Sequence, residues 1–423
     1  MKPKIDSAYL LNNSKDLDPL LDRIGDARLV LLGEASHGTH EFYTWRTAIT
    51  KRLITEKGFN FIGVEGDWPD CYRVNQYIKG YADADKEAHE VLKAFRRWPT
   101  WMWANWEIAA LVTWLKNFNA QKAKENKAGF YGLDVYSLWE SMETLMKYLE
   151  KTDPPVAKIV EKALDCFSGY HKNEQEYAIN SLSAPCRNEV LKLLKEVRMN
   201  VMHYNSDPEA TLNTTQNAHV AVEAEKYYRN MIAFDDQTWN IRDRHMMNTL
   251  NRLFDFHGPG SKGIVWEHNT HVGDARFTDM KNAGMLNIGQ LARMQYPSDQ
   301  SVIIGFSSYK GTVIAGNSWG APMQEMEVPE GKKGSLEEIL HTESPKNRLF
   351  IFDESDNEKF SQPLPHRAIG VIYHPQQEKH NYVPSHIAKR YDALIFLDKT
   401  TALHPLHIKP DPSQVPETYP FEF

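Results

Sequence analysis

Short apolar runs that each break off into polar or ionisable side chains constrain this chain more than any other feature. Leu29 to Leu32 is apolar, stops at Gly33, and delivers Glu34 and His37 in a small-residue turn. A helical stretch follows from about Glu41 and carries Arg46. Phe59 to Val64 ends in Glu65, with Asp67 and Trp68 just beyond. Gly129 to Leu133 ends in Asp134; Lys262 to Trp266 ends in Glu267, His268 and His271; Ser301 to Phe306 ends in Ser307, Ser308 and Tyr309. Buried strands of a parallel sheet read as such apolar runs, and ligands bind at the carboxyl ends of those strands. Solvated loops scatter their charges, whereas these sit at matching offsets. The pattern predicts an α/β fold with a mixed, largely parallel central sheet flanked by helices, and a catalytic cleft at one sheet edge.

The first 150 residues alternate strands with helical stretches, as βαβ units do. Thr152-Asp-Pro-Pro155 breaks the alternation, and the sequence turns helical and polar until a glycine-rich turn at Gly258 to Ser261. Three segments are expected: 1–153 as the first half of the core, 154–260 as a helical insertion, and 261–423 as the second half. In the last segment, strands are expected near Ile264, Val302, Thr312 to Ala315, Ala368 to Tyr373, and Ala393 to Leu397. Ser301 to Phe306 and Gly311 to Gly316 are so close that a hairpin is expected between them.

At 423 residues the chain can bury a large core. A net charge of -7 argues against a nucleic-acid binder, which usually carries a basic stripe. No apolar run reaches the length of a membrane span, and Met1 to Asp18 has no apolar core of the signal-peptide kind. Cys71, Cys166 and Cys186 share no metal or redox spacing, which fits a reducing cytoplasm. The aromatic cluster Trp98 to Trp106 is expected to pack the core, with some rings available as the wall of a ligand pocket.

Several chemistries compete for the polar residues. Glu34, His37, Glu65, His268 and His271 have the residue types to hold zinc or another divalent ion, although their spacing lacks the specificity of H-E-x-x-H. Each histidine can equally be a hydrogen-bonded turn residue. Gly316-Asn-Ser-Trp-Gly320 matches the pattern around a hydrolase serine, but Ala321-Pro322 is poor helix-starting sequence, which argues against a nucleophile at Ser318. Paired carboxylates among Glu34, Glu65, Asp67 and Asp134 suit a glycosidase in principle, and the histidines fit that chemistry less well. No phosphate-cradling glycine motif is present.

Taken together, Gly33 to Gly38 with Glu41-Phe42, Gly63 to Glu65, Gly132 to Ser137, Trp266 to Arg276, Asn287 to Gln290, and Gly311-Thr-Val through Trp319-Gly320 resemble the erythromycin esterase family. The resemblance runs in order over nearly the whole chain. It implies a hydrolase that opens a macrolactone or related ester through activated water, without a covalent intermediate. It places the activating histidine at His37, and puts Glu34, Arg46, Glu65 and a histidine of the His268/His271 pair in the other functional positions. Asp67, Trp68, Asp134, Tyr309 and Trp319 are the expected substrate-contacting residues. The expected partner is a small ester or lactone and the expected cofactor is none. The alternatives are a metal-dependent hydrolase built on the same histidines and carboxylates, with zinc as the cofactor, and a small-molecule-binding protein without turnover.

Overall fold

The computed structural model describes residues 8–81, 87–170, 173–181, 183, 185–200, 204, 208–231, 237–360, 362–412 and 414. Residues 1–7, part of the segment searched above for a leader, lie outside them. Eleven strands are present among the described residues: β1 (Ala8–Leu10), β2 (Leu29–Leu32), β3 (Phe61–Val64), β4 (Gly129–Gly132), β5 (Gly263–Trp266), β6 (Ser301–Ala315), β7 (Gln324–Val328), β8 (Arg348–Ile351), β9 (Leu364–Arg367), β10 (Tyr382–Ser385) and β11 (Ala393–Thr400). Nine form one sheet in the order β1-β8-β11-β6-β2-β5-β3-β4, with β7 paired to β6. Its heart, from β11 through β4, is parallel, and β1, β8 and β7 run antiparallel to their neighbours.

Alternation along each strand explains why the sheet is covered on both faces. Val30, Leu32, Ile62, Val64, Ile264 and Trp266 point to one apolar layer, and Leu29, Leu31, Phe61 and Val265 to the other. Strands β2, β3, β4 and β5 are buried at every position, so each reads as a continuous apolar run instead of an alternating one. Helices His40–Lys57 and Trp106–Ala120 lie in the first layer, while Gln237–His257 contributes to the second.

Between residues 138 and 257 the described chain is helical, with main elements Leu138–Thr152, Pro154–Phe167, Arg187–Met199, Ala210–Met231 and Gln237–His257. Most of these helices share a separate apolar cluster that runs from Val135 to Ile241. Cys166 and Cys186 meet there in a disulfide that links the 154–167 helix to the start of the 187–199 helix. The absence of a spacing motif gave no sign of this bond, because helix packing brings the two residues together. Since disulfides persist in oxidising surroundings, the cysteine argument for a reducing compartment falls. No helix among the described residues is long and apolar enough to cross a membrane.

Two strand expectations are corrected. No hairpin divides residues 301–316: β6 is one 15-residue strand whose first part pairs with β2 and whose last part pairs with β7. Gly311 interrupts the apolar pattern without turning the chain, because its backbone lies against the Thr400 carbonyl of β11 too closely for a Cβ. Ala368 to Tyr373 is no strand either. It crosses the carboxyl edge of the sheet and makes single bridges, Ser36 with Ile369 and Gly316 with Ile372.

The turn after β2 is held by the same long strand. Ile314 N–H and Leu403 N–H both donate to the Gly38 carbonyl, each at 2.9 Å. A Cβ at Gly38 would lie 1.9 Å from the Ile314 carbonyl oxygen. Gly38→Ala should therefore lower stability by about 1–3 kcal/mol, the usual cost of overpacking, as read by denaturant unfolding. Wild-type stability in that variant would show that the turn can shift at no cost.

Candidate active site

The register of the parallel strands puts the polar turns side by side. Leu32 and Val64 are both level with Trp266, and Val64 is level with Gly132. The next residues along each strand, Gly33-Glu34, Glu65, Glu267-His268 and Leu133-Asp134, therefore emerge along one edge. His40–Lys57 returns from the first turn and carries Arg46 back to it.

Glu34 bridges His37 and Arg46. His37 Nδ1 lies 2.9 Å from Glu34 Oε1, while Arg46 Nη2 pairs with Glu34 Oε2. A carboxylate only accepts, so Nδ1 carries the proton and Nε2 presents a lone pair. That Nε2 is buried without a hydrogen-bond partner, as are Nε and Nη1 of Arg46. The Arg46 guanidinium sits against the Tyr43 and Trp266 rings, 4.6 Å from each centroid. Tyr43 also fixes the turn, its hydroxyl lying 3.0 Å from the His37 carbonyl.

His268 follows β5 and faces His37, with ring centroids 4.9 Å apart. Its Nδ1 accepts from Thr270 N–H at 3.3 Å and contacts the Thr270 hydroxyl at 2.8 Å, which leaves its proton on Nε2. Burial, with His37 beside it, pushes its pKa well below the usual imidazole value, so His268 is neutral. His271 is held differently. Trp239 stacks on it at 4.4 Å, Asp243 takes Nδ1 at 3.0 Å, and Arg242 Nη1 donates to Nε2 at 3.0 Å.

Glu65 joins these groups. Its Oε2 accepts from His268 N–H at 2.8 Å and its Oε1 from Arg242 Nη2 at 2.7 Å. Burial alone would raise its pKa, but His271, Arg242, His37 and the His268 N–H outweigh that and hold it well below the ordinary carboxylate range. Arg242 also clamps Asp134 at 2.9 and 2.6 Å. All six expected catalytic residues, His37, Glu34, Arg46, Glu65, His268 and His271, thus lie in one buried, contiguous network.

The expected substrate-contacting residues divide. Asp134 is in the network through Arg242. Asp67 turns to Arg97 at 2.7 Å, and burial raises its pKa to about 6 despite that partner. Trp68 is stacked between Tyr72 and Tyr131 with Nε1 donating to Asn213, so it is a packing residue. Tyr309 lies within uninterrupted β6 and stacks on His341 at 3.7 Å; the expected strand end at Phe306 does not exist. Trp319 packs edge-on against Trp98. Ser318 is exposed and its hydroxyl reaches the Asn317 side chain.

Arg242, Asp243, Trp239 and Arg97 were not singled out from the sequence. The first three lie on Gln237–His257, where only Arg242 stands one helical turn from His245, a position the apolar spacing had picked out. Nδ1 of His37 meets Glu34, Nδ1 of His271 meets Asp243, and Nε2 of His271 accepts from Arg242, so the network is coherent as a set of hydrogen bonds. Breaking it should be costly. Arg242→Leu leaves Glu65 and Asp134 buried without their cation, and unfolding free energy should fall by about 3–5 kcal/mol. An unchanged denaturation midpoint would show that the two carboxylates do not depend on it.

Glu267 is a further buried acid at the edge, and neither of its carboxyl oxygens has a hydrogen-bond partner. Burial, with the Glu65 and Asp243 carboxylates nearby, pushes its pKa well above the ordinary range. Unfolded, it would ionise at about 4.3. The folded state therefore keeps a proton that the unfolded chain loses, and its contribution to stability declines as pH rises above that value. Glu267→Gln removes the linked proton. Paired thermal melts from about pH 5 to 8 should show the variant gaining steadily on wild type; a constant difference would mean that Glu267 is ionised in the fold.

Three comparisons bear on this arrangement. Erythromycin esterase type II of Escherichia coli is 23% identical over 416 residues, covering 92% of this chain and 94% of that protein. The crystal structure of a succinoglycan biosynthesis protein superposes with a TM-score of 0.76 at 21% identity, covering 94% of this chain and 96% of the other. A mutant of the erythromycin esterase EreC, crystallised in its open conformation, gives 0.62 at 17% identity over 92% of this chain and 95% of its own. These two structures share the fold. Residues 54–400 match the erythromycin esterase family pattern, and the chain belongs to that family.

Proposed function

We propose that this protein hydrolyses a carboxylic ester or lactone with water activated by His37, without a covalent intermediate. The observation that carries the reading is the single-sided His37: Glu34 occupies Nδ1, and Nε2 is buried with no partner. Such an imidazole is a base held in one tautomer. Nε2 takes a proton from water as the water oxygen attacks the acyl carbon, and the carbonyl electron pair moves to the oxygen. Collapse of that oxyanion expels the alkoxide, which takes the proton back from the His37 imidazolium. Glu34, set between Nδ1 of His37 and the Arg46 guanidinium, stabilises the imidazolium. His268 faces the His37 ring with its proton on Nε2, and is the donor assigned to the oxyanion. His271, wedged between Trp239, Asp243 and Arg242, positions Glu65 and so the His268 backbone. The reaction as written needs no cofactor.

Family membership supports an ester as the substrate class, and the E. coli relative's name supports testing macrolactones first. His37→Ala should lose at least about a hundredfold in turnover, the usual scale for a general base, with its circular dichroism spectrum unchanged. Ser318→Ala should stay within about a few-fold, and a fluorophosphonate should not label the protein. Labelling at Ser318 would replace activated water with a covalent route. Binding without turnover across aryl esters, simple lactones and macrolides would replace the hydrolase with a binding protein.

A further inference from the structure

Outside the buried network, two histidines and a glutamate from three separate parts of the chain converge at the surface. His40 opens helix His40–Lys57, Glu107 lies in the first turn of Trp106–Ala120, and His404 follows β11. Nδ1 of His40 and Nδ1 of His404 lie 2.5 and 2.6 Å from the same oxygen, Glu107 Oε1. The two imidazole planes stand at 85°, with centroids 5.2 Å apart. One ligand atom from each residue falls within 4.8 Å of the other two.

We propose that His40, Glu107 and His404 form a binding site for a divalent transition ion of the zinc type, distinct from the His37 network. Two imidazoles and a carboxylate are a tetrahedral ion's donors, with the fourth position left to water. Ligands about 2.0–2.1 Å from zinc stand about 3.3 Å apart, so each histidine–carboxylate distance needs to open by less than about an ångström. The backbone beneath it is already fixed. His40 N–H donates to the Thr401 carbonyl at 2.9 Å, Trp106 N–H to the His404 carbonyl at 3.0 Å, and Leu406 N–H to Ala104 at 2.9 Å. The carboxylate is buried at the base, whereas His404 is mostly exposed, so an ion enters from one side.

That side is a cavity of about 610 Å³, whose wall includes Thr44, Lys51 and Trp106 besides the three ligands. Its cations do not compete for Glu107. Arg52, also in the wall, is paired with Glu56 and Asp18, and Lys51 lies over the Trp114 ring. An ion here would fasten the segment after β11 to the helix that begins three residues beyond His37. The same segment donates Leu403 N–H to Gly38, so the ion would brace the turn that carries His37.

The test is calorimetric titration of zinc into full-length protein freed of metal by chelator dialysis, with cobalt absorption as the second readout. One equivalent of zinc should bind, and cobalt should show tetrahedral ligand-field bands. His404→Ala, an exposed side chain whose loss spares the fold, and Glu107→Gln should each weaken binding by at least the roughly 10- to 100-fold that even an outer-shell change costs a metal site. His380→Ala, an exposed histidine elsewhere, should bind as wild type does. No binding by wild type, or binding undiminished in His404→Ala and Glu107→Gln, would overturn the proposal. Binding lost only in His271→Ala would overturn it by moving the ion to the buried network.

Discussion

The buried Arg242 guanidinium holds together what the sheet edge would otherwise push apart. Level strand ends place Glu65 and Asp134 beside each other, with Glu267 next to them, and three carboxylates at that spacing repel in a low-dielectric interior. Arg242 answers two of them directly, at 2.7 Å and at 2.6 and 2.9 Å. Glu267 is answered by a proton. Because Arg242 comes from the helix that closes the middle third of the chain, the parallel sheet does not possess a finished site of its own. The helical segment completes it.

From that ion pair the order of the site can be followed outward. Glu65, kept ionised, orients the His268 backbone; His268 then stands against His37 with its proton on Nε2. On the other side, Arg46 pairs with one oxygen of Glu34, and the other oxygen takes Nδ1 of His37. Each histidine is thus fixed by a carboxylate or a backbone group, the preorganisation that the proposed role of His37 as a base calls for. The absence of solvent exposure at His37, His268 and His271 has a second consequence. A bulky molecule reaches them only if elements above the edge move.

Much of this was legible because a buried parallel strand writes itself as an unbroken apolar run, and its end is marked by the first polar residue. That rule located Glu34, Glu65, Asp134, Glu267 and His268 correctly. It failed at β6, where Ser307, Ser308 and Tyr309 look like the end of a run. Ser307 there donates to Glu337 and the strand continues, so polarity within a long strand was mistaken for its termination. It failed again at Ala368 to Tyr373, where apolar residues cover the sheet edge without joining a ladder.

The sequence by itself determined the parallel sheet, the helical middle third, and the convergence of His37, Glu34, Arg46, Glu65, His268 and His271, because period and strand-end chemistry are local properties. Only the tertiary structure decided that Arg242, Asp243 and Trp239 complete the network, that Trp68 and Tyr309 pack the core, and that Cys166 meets Cys186. It alone brought His404 to His40 and Glu107. Those pairings join residues between 20 and more than 300 positions apart, and no periodicity within one helix or strand records which distant face it will meet. Charge pairing and packing settle that only once the layers have closed.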